Sequence, residues 1–105
     1  MTVRINKAES FSVFEVDQNG AYKRVLATAI EIDNGKIDLT ELLYYGKEIF
    51  QETAKKFRNM GIKKFWLNDH SDISKCLEGM ENMITQVNEG HEEESGYKCY
   101  VYQFI

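Results

Sequence analysis

The sequence predicts a two-layer α+β fold, in which N-terminal antiparallel β-hairpins precede an α-β-α-β segment and a mixed sheet carries two helices. Three observations predict it. Apolar residues in the first third fall in β-rich runs separated by two Asn-Gly pairs, the strongest short hairpin signal. From residue 39 the apolar spacing changes to three and four, as in a helix. The last nine residues are again aromatic and β-branched. At 105 residues, we expect 1–105 to form a single domain.

The N-terminal strands are separated by Asn19-Gly20 and Asn34-Gly35, each read as a tight turn because both of its residues tolerate positive φ. In the long strand predicted over 22–32, Leu26, Thr28, Ile30 and Ile32 are expected on one face, with the small Ala27 and Ala29 on the other. The predicted strands of this part are 3–5, 11–16, 22–32 and 36–37.

The first helix is predicted over 39–60, with Asp38 as its N-cap, Glu41 completing a capping-box pattern and Gly61 as the C-cap glycine. Gly46 weakens the middle of this helix and marks a kink or a close contact. A strand follows over 62–67. The second helix is predicted from residue 73 to near Gly90, capped from the turn 68–72, and the final strand over 97–105.

Composition narrows the classes of function. The chain has no proline, which excludes polyproline linkers and PxxP ligands. Its net charge of −4 is unevenly distributed along the sequence: residues 1–37 are neutral, residues 38–64 carry +2 and residues 65–105 carry −6. The N-terminus does not resemble a signal peptide, and the longest apolar run, 42–45, is far too short for a membrane span. We therefore expect a cytoplasmic protein that does not associate with a membrane.

No catalytic residue is predicted. His70 lies beside Asp69 and Asp72 in a strand-to-helix turn, where it would be an acid, a base or a metal ligand; helix capping by a solvated turn explains the same residues better. Cys76 and Cys99 fall on apolar positions and are expected to be core thiols. His91 with Glu92, Glu93 and Glu94 reads as a solvated loop rather than a metal site. No metal and no cofactor is predicted.

Three sets of residues are candidate binding sites. The first set is acidic and is expected to imitate a nucleic-acid surface towards a basic partner: Asp69, Asp72, Glu78, Glu81, Glu89, Glu92, Glu93 and Glu94. Tyrosines typical of protein interfaces are Tyr44, Tyr45, Tyr100 and Tyr102, for most of which core packing is the competing interpretation. Candidate phosphate contacts are Lys55, Lys56, Arg58, Lys63 and Lys64, although cations also favour a helix C-terminus.

The order of elements resembles the core of the GNAT N-acetyltransferases over residues 11–105. The closest stretch is Ala54-Lys-Lys-Phe-Arg-Asn-Met-Gly-Ile-Lys-Lys-Phe-Trp-Leu-Asn68, similar to the end of the cofactor-side helix and the strand after it. The family's Gln/Arg-x-x-Gly-x-Gly/Ala loop holds the pyrophosphate of acetyl-CoA. Before this helix the chain has Gly46 alone, so no functional residue carries over.

The leading hypothesis is a non-catalytic protein-interaction module, an inhibitor or adaptor of the kind that mobile elements encode. The expected partner is another protein, and the sequence is also compatible with a homodimer. The negative net charge disfavours nucleic acid as a partner. The alternatives are a degenerate acyltransferase or acyl-CoA binder, and a weak phosphate or RNA binder acting through residues 55–64.

Overall fold

A computed structural model describes residues 2–87 and 98–105 and confirms the two-layer α+β fold. The helical elements are a 3₁₀ helix, Thr40–Tyr45, and two α-helices, α1 (Lys47–Asn59) and α2 (Ile73–Leu77). The strands are β1 (Thr2–Lys7), β2 (Phe11–Val16), β3 (Tyr22–Ile30), β4 (Lys36–Asp38), β5 (Lys64–Asn68), β6 (Ile84–Val87) and β7 (Cys99–Phe104).

The strands form two sheets. The N-terminal sheet is antiparallel with the order β1-β2-β3. The C-terminal sheet is mixed with the order β4-β5-β7-β6, in which β4 and β5 are parallel and the other pairs are antiparallel. The parallel pair is made possible by α1, which crosses from the end of β4 to the start of β5.

The two Asn-Gly pairs form different turns. Asn34 and Gly35 have φ values of 52° and 77°, and Asp33 and Lys36 exchange backbone hydrogen bonds of 2.8 and 3.0 Å, as expected for a two-residue turn. The first pair belongs to a longer loop, in which the Asp17 carboxylate accepts the N–H groups of Asn19 and Ala21. Gly20 has φ 83°, whereas Asn19 does not adopt positive φ, so this pair is not the two-residue turn that was predicted.

The predicted alternation along β3 is wrong. Leu26 and Ala27 are both buried, whereas Thr28 and Ala29 are exposed. The pairing with β2 shifts register at three places, and Ala29 adopts φ 57°. Each shift inserts an extra residue into β3, so the two-residue period of side-chain direction is interrupted.

The predicted helix 39–60 is two elements. Gly46 has φ 91° and ψ 171°, a conformation essentially confined to glycine, and it separates the 3₁₀ helix from α1. Asp38 does not cap α1. Its carboxylate accepts hydrogen bonds from the N–H and the hydroxyl of Thr40 at 2.9 and 2.5 Å, and no side-chain hydrogen bond caps either helix. Leu39, Leu42 and Leu43 are nevertheless buried, as the apolar spacing requires.

The predicted second helix is also too long. It ends at Leu77, because Glu78 turns to an extended conformation with φ −57° and ψ 125°. The chain then forms β6, whose four residues pair with β7, in place of further helix. The turn and β6 bury Met80 and Ile84, as a continued helix would have done. The apolar spacing alone therefore did not distinguish a helix from a turn followed by a strand. The strand after α1 is placed at Lys64–Asn68 instead of 62–67.

The core lies where one face of α1 meets both sheets. Phe57 packs edge-on against Phe11 of β2 with 5.3 Å between ring centroids, and Phe50 packs against Phe65 of β5 at 6.1 Å. Both helical rings and Ala54 between them are fully buried. Because its buried rings pack on a strand of each sheet, α1 joins the two halves of the domain.

Replacing Gly46 with alanine should lower the free energy of unfolding by about 1–3 kcal/mol, because a Cβ atom is strained at φ 91°. The space around this position is open, so backbone strain alone produces the loss. Urea denaturation of Gly46→Ala and of Lys55→Ala, an exposed change in α1, measures it. Equal stability of the two variants would contradict the assignment of the break to Gly46.

Candidate functional site

Tyr44 is the most exposed tyrosine among the described residues, yet its ring has a fixed neighbour. The side chain is 70% exposed at the end of the 3₁₀ helix. The His70 ring lies edge-on to it at a centroid distance of 4.8 Å. His70 Nδ1 in turn accepts a hydrogen bond of 3.0 Å from the Asp72 N–H, which fixes the imidazole. The structure thus brings together residues that the sequence suggested separately.

Hydrogen bonds between elements hold this pair in place. The Asn68 N–H, at the end of β5, donates to the Thr40 hydroxyl at 3.0 Å and so joins β5 to the start of the 3₁₀ helix. The side-chain amide of Gln51 in α1 donates to the backbone carbonyls of Cys76 and Glu78, at 2.9 and 2.7 Å. Because α1 holds the end of α2 in this way, the turn that carries His70 keeps its position beside Tyr44.

Three carboxylates lie near the aromatic pair in sequence, and one of them, Asp72, contacts it in space. Glu41 lies three residues before Tyr44 in the 3₁₀ helix, where side chains three apart are eclipsed and share a face. Asp69 is exposed, and the Asp72 side chain is 48% exposed with an oxygen 3.8 Å from His70 Nδ1. We call the set Glu41, Tyr44, Asp69, His70 and Asp72 the Tyr44 surface.

A groove of about 430 Å³ adjoins the Tyr44 surface through Glu41, which lines both. It lies between the second half of β3 with the residues that follow it and the end of β4, with Trp66 of β5 also in its wall. Among the described residues, four carboxylates line this groove, which we call the acidic groove: Glu31, Asp33, Asp38 and Glu41. The sequence interpretation missed the cluster; the signal was the Asn34-Gly35 turn, which folds residues 31–33 back towards Asp38.

The other predicted interface tyrosines contribute to packing. Tyr102 is 8% exposed and stacks on Phe65 with centroids 5.3 Å apart, and burial raises the pKa of its hydroxyl above the usual value. Tyr45 and Tyr100 are half-buried against the core. Of the four tyrosines, Tyr44 is the one whose side chain is mostly exposed.

The remaining predicted acidic residues are dispersed. Glu78 forms an ion pair of 3.3 Å with Lys47, and the exposed Glu81 accepts a hydrogen bond from the Gly79 N–H. The part of the chain with Glu89, His91, Glu92, Glu93 and Glu94 lies outside the described residues.

The predicted phosphate-binding residues divide between two elements. Lys55, Lys56 and Arg58 belong to the C-terminal half of α1, whereas Lys64 lies in β5, opposite Lys36 in the parallel pairing. Lys63 is exposed just before β5. The run is therefore continuous in sequence and divided in the structure.

The two thiols differ in accessibility. Cys76 is buried as predicted, at 1% exposure, and burial raises the pKa of its thiol. Its Sγ lies 3.8 Å from the Leu43 carbonyl oxygen. Cys99 is half-buried, with its Sγ 3.2 Å from Asn68 Oδ1. A neutral, buried thiol such as Cys76 is a poor nucleophile.

An ion cluster links the N-terminal sheet to the region of the site. Glu15 is 6% exposed, accepts a hydrogen bond of 2.8 Å from Arg24 Nε and has Lys23 Nζ at 3.6 Å. The Arg24 guanidinium also lies 5.0 Å from the centre of the Tyr45 ring, next to Tyr44. The hydrogen bond from Arg24 is the largest of the effects that hold the pKa of Glu15 below its usual 4.5.

Comparison of the chain with protein-family models, curated proteins and solved structures finds no match. Within residues 2–87 and 98–105, no three His, Cys, Asp or Glu side chains are grouped so that they could hold a metal ion. No helix in the described part of the chain is long and apolar enough to cross a membrane.

The Glu15 cluster gives stability a defined pH dependence. Because folding lowers the pKa of Glu15, its stabilising effect is complete above the usual value of 4.5 and is lost as the pH falls through the folded value. Glu15→Gln should therefore destabilise the protein at pH 7, by a margin that shrinks on acidification below pH 4.5. Denaturant titrations across this range measure the margin, with the exposed Glu9→Gln as control. A margin independent of pH would contradict the ionised cluster.

Proposed function

We propose that this protein is a non-catalytic interaction module that binds another protein through the Tyr44 surface. The observation that supports it is an aromatic side chain 70% exposed and held edge-on by His70 at 4.8 Å. Tyrosine presents a large contact area at a small cost in conformational entropy. A neighbour that fixes the ring lowers that cost further, because less side-chain freedom remains to be lost on binding.

The charges around Tyr44 favour a basic partner. An Asp72 oxygen lies 3.8 Å from His70 Nδ1, Glu41 precedes Tyr44 by one turn of the 3₁₀ helix, and the acidic groove adds further carboxylates beyond Glu41. Lys47, the nearest cation in sequence, is paired with Glu78. Such a field attracts a protein surface rich in Lys and Arg, including one that binds nucleic-acid phosphates, and accelerates association.

The module would act by covering a surface of its partner. The partner would bury Tyr44 and pair its cations with the nearby carboxylates, and the module would thereby block it, as an inhibitor does, or recruit it, as an adaptor does. Desolvated aromatic anchors dominate the binding energy of most interfaces, while charges at the rim mainly set the association rate and its salt dependence. We place this activity in the cytoplasm, as the sequence predicts.

The test compares two exposed tyrosines on different parts of the surface. Tagged wild type, Tyr44→Ala and Tyr22→Ala are used to purify partners quantitatively from cells; Tyr22 is 55% exposed in the N-terminal sheet. A partner captured by wild type and Tyr22→Ala should be depleted at least about tenfold with Tyr44→Ala, as for an interface anchor. The purified partner should then bind more weakly at higher salt.

Equal capture by Tyr44→Ala and wild type would contradict the assignment, as would no capture above the tag alone. Thermal unfolding of Tyr44→Ala is the folding control. An exposed ring should contribute little to stability, so the midpoint should stay close to that of wild type.

A second candidate is binding of acyl-CoA, as the resemblance to the GNAT N-acetyltransferases implies. Two observations favour it: β4, α1 and β5 form a parallel β-α-β unit, and no side chain caps the amides at the N-terminus of α1. A segment with one glycine, Gly46, stands where the family has its pyrophosphate loop.

Titration with acetyl-CoA tests the second candidate. Millimolar ligand should raise the unfolding temperature if it binds the folded state, and desulfo-CoA without the acyl group separates cofactor binding from acyl recognition. Lys47→Glu, at the first position of α1, should weaken the effect more than Lys75→Glu. An unchanged unfolding temperature at millimolar acetyl-CoA would rule the candidate out.

A further inference from the structure

We propose that Asn34 is a site of spontaneous deamidation in the folded protein, and that hydrogen bonding protects Asn19 from the same reaction. Each of these asparagines precedes a glycine, Gly35 or Gly20, and both asparagines are exposed. The inference concerns the turn that leads from one sheet to the other, and it does not depend on the proposed function.

The reaction needs the chain and water alone. The backbone nitrogen of the glycine loses its proton to solvent and attacks the side-chain carbonyl carbon, Cγ, of the preceding asparagine. A C–N bond forms, ammonia leaves, and a five-membered succinimide ring results. Water then opens the ring at one of its two carbonyl groups, which gives aspartate or isoaspartate. Glycine favours the first step because no side chain hinders its nitrogen.

The reacting groups at Asn34 are not engaged in other contacts. The two backbone hydrogen bonds of this turn join Asp33 to Lys36, at 2.8 and 3.0 Å. Within the described part of the chain, the Gly35 N–H donates no hydrogen bond and the side-chain amide of Asn34 makes none. Residues 31–35 are all exposed, so the rotation that brings Cγ to the Gly35 nitrogen displaces no packed side chain.

The corresponding nitrogen after Asn19 is engaged. The Gly20 N–H donates to the Asp17 carbonyl oxygen at 3.0 Å. The Asp17 carboxylate also accepts the N–H groups of Asn19 and Ala21, at 2.8 and 3.0 Å, and these bonds hold the loop. Attack by the Gly20 nitrogen requires that its hydrogen bond break first, which should slow the reaction about two- to tenfold.

Deamidation of Asn34 would change the surroundings of the acidic groove. It creates a carboxylate directly after Asp33, which lines that groove. Aspartate tolerates positive φ as asparagine does, so the aspartate product retains the turn. Isoaspartate inserts a further carbon atom into the backbone between Asp33 and Lys36, where the turn has room for two residues. The products therefore differ from the original chain in charge and, for isoaspartate, in the connection between the sheets.

Isotope labelling measures both sites in one sample. The full chain is incubated at mildly alkaline pH in water enriched in heavy oxygen, which enters the product when the succinimide opens. Digestion with trypsin in ordinary water cleaves after Lys and Arg and releases the sites in separate peptides, 8–23 and 25–36. Heavy oxygen should accumulate in 25–36 about two- to tenfold faster than in 8–23, the effect of one hydrogen bond. Fragment spectra should place it at Asn34.

Denaturant and two variants are the matched controls. In concentrated urea neither turn persists, so the two Asn-Gly sites should react at similar rates. Asp17→Ala, which removes the carboxylate that holds the first loop, should accelerate labelling at Asn19 and leave that at Asn34 unchanged. Asn34→Gln should lose the labelling of its peptide, because the longer side chain would have to close a less favourable six-membered ring.

Three results would overturn the proposal. The first is labelling of the folded chain at equal rates, or faster at Asn19. The second is labelling of Asn34 in urea without labelling in the folded chain, which would show that the turn protects it. The third is a ratio of rates that urea leaves unchanged, which would assign the difference to the flanking residues in place of the fold.

Discussion

The packing of one face of α1 against both sheets is the interaction on which the rest of this structure depends. Phe57 meets β2 and Phe50 meets β5, and each buried aromatic ring contributes about 1.5–3 kcal/mol. Within the described chain, the two sheets are joined in sequence at the Asn34-Gly35 turn. Without α1 between them, the positions of the 3₁₀ helix and of the turn carrying His70 would not be determined.

Local signals identified the parts of this fold that depend on local chemistry. The Asn34-Gly35 turn and the α1 stripe were predictable because one needs positive φ and the other needs an apolar period of 3.6. The end of α2 and the register shifts of β3 could not be predicted from local signals. Met80 and Ile84 have helical spacing but are buried by a turn and by β6, a choice made by pairing with β7, about twenty residues away in sequence.

The candidate site shows the same division. The sequence identified Tyr44 as an interface tyrosine and, separately, the polar turn that carries Asp69, His70 and Asp72. Their contact depends on hydrogen bonds across long stretches of chain, such as those from Asn68 to Thr40 and from Gln51 to Cys76. The acidic groove was missed because Asp38 and Glu41 matched a helix-capping pattern, whereas in the structure Asp38 accepts hydrogen bonds from Thr40 and both residues line the groove.

Helix α1 is about 20 Å long, and the Tyr44 surface lies at its N-terminus. We infer that the packing of α1 fixes Tyr44 against His70 in solution. A nuclear Overhauser spectrum of the full chain tests it most directly. Ring cross-peaks are expected for Phe57 with Phe11, for Phe50 with Phe65, and for Tyr44 with His70. The first two without the third, and a freely averaging Tyr44 ring, would contradict it.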